Sequence, residues 1–79
     1  MPTILRVNGY RIAFFAADAE EPIHVHVKRN SNGAKFWLEP FVRLARNRGF
    51  RSHELNEIGR LLVEHRDMLM EAWHAYFRS

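Results

Sequence analysis

Thr3-Ile4-Leu5-Arg6-Val7-Asn8-Gly9-Tyr10-Arg11-Ile12-Ala13-Phe14 is the stretch that decides the fold. Two β-rich runs flank Asn8-Gly9, and both turn residues tolerate the positive φ that a type I′ hairpin turn requires. A two-residue turn also fixes the register. Val7 is expected opposite Tyr10, Arg6 opposite Arg11 and Leu5 opposite Ile12. One side of this ribbon is then Leu5, Val7, Tyr10, Ile12 and Phe14. The other carries Arg6 and Arg11 with Ile4, Ala13 and Phe15.

Working outward, an acidic loop from Asp18 to Glu21 leads into a second alternating run. Ile23, Val25 and Val27 point one way, and His24, His26 and Lys28 the other. Arg29-Asn30-Ser31-Asn32-Gly33 is turn chemistry. A fourth strand follows, with Ala34, Phe36 and Leu38 inward and Lys35, Trp37 and Glu39 outward, and Pro40 closes it. The span 41–50 is ambiguous between a short helical turn and an irregular crossing, with Gly49 as its end. Ser52 reads as a helix N-cap with Glu54 in the first turn, half a capping box because Leu55 stands where a glutamate would reach back. Leu55, Ile58, Leu62, His65, Leu69, Ala72 and Tyr76 then keep a 3-4 spacing. A helix from His53 to about Phe77 would be ~37 Å long, enough for its last turns to overhang the sheet and meet a partner. The expected fold is α+β: a four-stranded antiparallel meander covered on one face by a long C-terminal helix, ββββα, in a single domain over residues 1–79.

With 79 residues, the chain has room for one small domain with a thin core. It has no cysteine, which excludes disulfides, thiolate metal sites and thiol catalysis. Its 47% hydrophobic and 27% charged residues are ordinary for a folded protein. The longest apolar run, Ile12 to Ala17, is too short to span a bilayer, and the N-terminus has no signal-peptide layout, so a cytoplasmic protein without a membrane partner is expected. Ten of the twelve basic residues are arginine, whose two-pronged fork suits phosphate or carboxylate. The same bias also follows from GC-rich codon usage.

The residues that can carry chemistry gather on the side the helix is expected to leave bare. His24 and His26, two apart on a strand, project together about 6.8 Å apart along the chain. Such a pair can serve as acid and base near neutral pH, touch RNA, or ligate a metal if Glu20, Glu21, Glu39 or His53 adds a third donor. It is also common on a plain solvated face, and no metal or other cofactor is assigned. Around the histidines the same side shows Arg6, Arg11, Lys28, Lys35 and Trp37. Cations there can hold phosphates while the indole stacks on a base, or the patch can bind a protein. Arg46 and Arg48, with Arg43 and Arg51, either form a phosphate-binding edge or a soluble connector. His65 reads as a core residue on the helical stripe. Trp73, His74, Tyr76 and Phe77 read as core plugs, or as a contact for a partner or for a second copy in a homodimer through the C-terminal helix. No Gly-rich phosphate loop, Ser/His/Asp arrangement or paired-carboxylate site is present.

Several blocks together resemble one family of short prokaryotic proteins. They are Met1-Pro2-Thr3-Ile4 with Gly9, Glu21-Pro22-Ile23-His24-Val25-His26-Val27, Ala34-Lys35-Phe36-Trp37-Leu38-Glu39-Pro40, Leu44-Ala45-Arg46-Asn47-Arg48-Gly49-Phe50 and Ala72-Trp73-His74-Ala75-Tyr76-Phe77. The family is domain-of-unknown-function family 4160, and the similarity covers essentially the whole chain. Its members usually carry a second proline where this chain has Ile23, which leaves the His-x-His positions intact. The resemblance implies a compact domain whose gene lies beside another small gene, in the manner of toxin–antitoxin pairs. A cognate small protein encoded nearby is therefore the expected partner, with RNA or DNA beside it. No catalytic residues come with the resemblance. On the residues alone, His24 and His26 are the candidate catalytic pair, and Arg6, Arg11, Lys28, Lys35, Trp37, Arg46 and Arg48 the candidate binding residues. The expected function is a component of such a module, with a metal-independent ribonuclease toxin, a non-enzymatic binding module and a His-ligated metal domain as its three forms.

Overall fold

A computed structural model describes residues 3–15 and 19–77. The Met1-Pro2 start and Asp18 of the acidic loop lie outside the described residues. Five strands, β1 (Thr3–Val7), β2 (Tyr10–Ala13), β3 (His24–Arg29), β4 (Asn32–Trp37) and β5 (Arg43–Arg48), precede α1 (Ser52–Glu64) and α2 (Arg66–Phe77). The strands form one antiparallel sheet in sequence order. The hairpin register is the expected one, with Asn8 at φ 52° and Gly9 at φ 82° in the turn.

Tyr10, Ile12, Phe14, Val25, Val27, Phe36 and Leu38 build the inner face, and Ile58, Leu62, Leu69 and Trp73 close over it from the helices. Burying each large apolar side chain contributes about 1.5–3 kcal/mol. Ile4, expected on the outer side, is the extra residue where the β1–β2 register shifts between Thr3 and Leu5, and it packs against this core.

The expectation of four strands and one long helix needs two corrections. The first is β5, which stands where the chain read as a helical turn or crossing. Lys35 pairs with Arg46 but Phe36 pairs with Leu44, so Ala45 is an extra residue in β5. That bulge breaks the alternation by which a strand is recognised. Every residue of β5 is also exposed, so there was no buried row to read. The bulge places Arg43, Arg46 and Arg48 on one face opposite Trp37, Lys35 and Gly33, despite their uneven spacing. The Asn47 side chain then clasps Phe50 through both its N–H (3.1 Å) and its carbonyl (3.0 Å), and Gly49 at φ 97° turns the chain toward α1.

The second correction is that the long helix breaks at His65. The backbone N–H and Nδ1 of His65 both lie within hydrogen-bonding distance of the Leu61 carbonyl. The next residue, Arg66, donates to the carbonyls of Leu38 (2.8 Å) and Pro40 (3.4 Å), pinning the break to the end of β4. The last turns therefore bend onto the sheet instead of overhanging it, and Trp73 is buried against Phe14 with ring centroids 5.2 Å apart. Helix α1 also caps one residue earlier than Ser52. Arg51 holds the cap position, and its N–H donates to Glu54 at 2.8 Å, so Glu54, and not position 55, stands where the reach-back contact is made.

Candidate nucleic-acid interface

Cross-strand register builds the outer face row by row. Arg6 pairs with Arg11, Arg11 with Lys28, Lys28 with Gly33 and Gly33 with Arg48. One step along, Ala13, His26, Lys35 and Arg46 align, and beyond them His24, Trp37 and Arg43. Side chains in register on one face lie about 4.5–5.5 Å apart, so cations in these rows repel unless anions meet them. The sheet thus brings Arg6, Arg11, Lys28, Lys35, Arg46, Arg48 and His26 to one side. A cleft of about 590 Å³ runs across it, lined among others by Phe15, His26, Lys28, Lys35, Arg46 and Arg48.

The two histidines do not share an environment. The His26 ring is half-buried, edge-on to Phe15 at 4.4 Å and 5.1 Å from the His24 ring, and it opens into the cleft. His24, expected beside it on a bare face, is 0% exposed, because the α2 break brings Trp73 to within 5.4 Å of its ring while Trp37 stands at 5.5 Å. Its Nδ1 lies 2.8 Å from the Pro22 carbonyl, which only accepts, so Nδ1 carries the proton. Its Nε2 lies 3.9 Å from Glu21 Oε1. His24 thus stands behind His26 and does not meet solvent.

Lys35 pairs with Glu21 and lies 4.6 Å above the Trp37 ring, with Arg43 5.8 Å from the same ring. Trp37 is therefore half-buried and already engaged by cations, so a base stacking there must displace one of them. Fourteen residues separate Glu21 from Lys35, a pairing that spacing alone does not show. Among the described residues, no group of three or more His, Asp or Glu is placed to hold a metal ion. No helix among the described residues is long and apolar enough to cross a membrane.

A separate polar cluster on the inner side joins the hairpin to α1. Arg29 lies 4.2 Å from the Tyr10 ring centroid and pairs with Glu54 at 2.7 Å, while the Tyr10 hydroxyl donates to Glu57 at 2.7 Å. Burial, reinforced by the Glu57 bond, pushes the Tyr10 hydroxyl up to about 12. The Tyr10 hydroxyl holds Glu57 below the usual carboxylate range, and the Arg51 N–H with Arg29 does the same for Glu54. In sequence, Arg29 reads as a turn residue, and only the fold shows it reaching α1.

No curated protein and no solved structure matches the chain. One family does, the one described as Domain of unknown function (DUF4160), over residues 9–74. That span holds β2 to β5, α1 and most of α2, together with the cleft and both histidines. The chain belongs to the DUF4160 family.

Proposed function

We propose that this protein is the RNA-binding component of a toxin–antitoxin-like pair, with the nucleic acid lying across the outer face of the sheet and a cognate small protein bound elsewhere. The observation that carries this reading is the aligned row Arg6, Arg11, Lys28 and Arg48, with Arg46 beside it, which crosses all but one of the strands. Cations so aligned gain most from a polyanion of regular charge spacing. The test is fluorescence anisotropy of a 12-nucleotide single-stranded RNA across a salt series. Five phosphate contacts give a log–log salt slope of about −3.5. Replacing Lys28 and Arg48 by glutamine should lower its magnitude by about 1.4. A slope near zero, or one the double variant leaves unchanged, overturns the reading.

A ribonuclease form is favoured by one further feature, the opening of His26 into a cleft shared with Lys28, Lys35 and Arg46. In that form His26 takes the ribose 2′-hydroxyl proton as the 2′-oxygen bonds to phosphorus, and a neighbouring cation stabilises the pentacoordinate phosphate. The P–O5′ bond breaks to give a 2′,3′-cyclic phosphate and a 5′-hydroxyl that takes its proton from solvent, to which His26 releases its own. His24 stands behind His26. Metal-free cleavage that His26→Ala abolishes while RNA affinity persists supports it. Binding without cleavage leaves a non-enzymatic module.

A further inference from the structure

The inner face of the sheet is not covered out to its last strand. Five strands span about 19 Å, while one helix is about 10 Å thick. Beside α1 this leaves a groove of about 760 Å³, walled by Phe36, Val42, Leu44, Leu55, Gly59 and Val63. Leu44 is 44% exposed although it stands on the inner row with Phe36, and Val63 is 62% exposed. Gly59 lies in the middle of α1, and a Cβ built there meets nothing within 4 Å. Glycine is the least favourable helix-interior residue after proline, and nothing in the chain's own packing requires it here. A backbone crossing α1 closely at this point would use the missing side chain. Arg60 and Glu64 line the groove from α1, and Arg43, whose side chain lies on the outer face over Trp37, touches only its rim.

These features select the occupant. The Ala45 bulge and three arginines on β5 are devices that keep an edge strand from pairing, so an added strand is disfavoured. A second copy would bring the same arginines against each other. A bare sheet face beside a helix is normally filled by another helix. We infer that the β5–α1 groove receives an amphipathic helix of the partner protein. Its apolar side chains rest on Leu44 and Val63, its acidic side chains face Arg60, and its backbone crosses α1 at Gly59. This docking site rests on the partner-binding half of the proposal above and is independent of the RNA half.

The test selects 16-residue helix-biased peptides from a displayed library on the wild-type protein, then measures the enriched peptides by anisotropy. Enriched sequences should be net acidic with apolar residues at i, i+3, i+4 and i+7. Their affinity should fall at least tenfold with Gly59→Leu and with Leu44→Glu. RNA affinity of Gly59→Leu should be unchanged. Gly59→Ala should raise the Tm of the free protein by about 4–8 °C while weakening peptide binding, a pairing that a purely structural glycine does not produce. No enrichment over a blank surface, enriched peptides without acidic excess, or equal binding to Gly59→Leu overturns the inference. So does a wild-type dimer that Gly59→Leu dissolves, which assigns the groove to a second copy. RNA affinity lost with Gly59→Leu assigns it instead to nucleic acid. Loss of the salt slope with peptide binding intact sinks only the RNA reading.

Discussion

Replacing Trp73 by alanine removes the indole that joins α2 to the sheet. The ring is 6% exposed, edge-on to Phe14 at 5.2 Å, 5.4 Å from the His24 ring and 4.4 Å from Phe77. Truncating a packed tryptophan to alanine costs about 3–5 kcal/mol. A chain of 79 residues has a total stability of only about 4–12 kcal/mol. The variant therefore lies between just unfolded and moderately stable. With a urea m-value near 1 kcal/mol/M, its midpoint should fall by about 3 M or more. Native-state hydrogen exchange should locate the loss, since amides of α2 lose protection first while those of β2 to β4 keep theirs. Trp73→Phe, which keeps an aromatic contact with Phe14, should lose less than half as much. A loss below about 1 kcal/mol in Trp73→Ala, or α2 amides as protected as before, would refute the argument that this contact holds the bent helix in place.

Three further outcomes are expected. Gly49→Ala should destabilise by about 1–3 kcal/mol in thermal denaturation, because φ is 97° and the new Cβ would stand 2.3 Å from Asn32 Oδ1. Arg66→Ala should cost about 1.5–3 kcal/mol and speed amide exchange around His65, because the guanidinium bonds to Leu38 and Pro40 are lost. Glu54 and Glu57 titrate below their ordinary value of 4.5 in the folded protein, so the stability they contribute is complete above that pH and lost as pH falls through their lowered values. Urea midpoints measured from pH 6 to pH 2 should show this acid limb, and Glu54→Gln with Glu57→Gln should flatten it.

The first four strands were legible because each has a local signature. Asn8-Gly9 fixes one register, and the alternation of β3 and β4 separates Val25 and Phe36 from His26 and Lys35. The fifth strand was not, because Arg43–Arg48 is exposed throughout and its bulge cancels the period. The helix stripe was correctly assigned to the core through Ile58, Leu62 and Leu69, but periodicity runs straight through His65 and carries no sign of the break. That break comes from Arg66 reaching β4, a contact between residues 28 apart. The same blind spot explains the site. Alternation placed His24 and His26 on one face, which holds, yet only α2 bending back decides that His24 is sealed and His26 is open. Lys35 was read as a surface cation, and its carboxylate partner Glu21 comes from a different part of the chain.

Ala45 gives one-residue length changes an unusual meaning in this protein. In most loops an indel alters reach and little else. Removing Ala45 would leave Arg46 opposite Lys35, Leu44 opposite Phe36 and Arg43 opposite Trp37 in unbroken alternation, so every side chain keeps its face and only the bend and added twist of the bulge are lost. Relatives one residue shorter here would therefore present the same charge pattern to solvent, on a straighter edge strand that is more open to pairing.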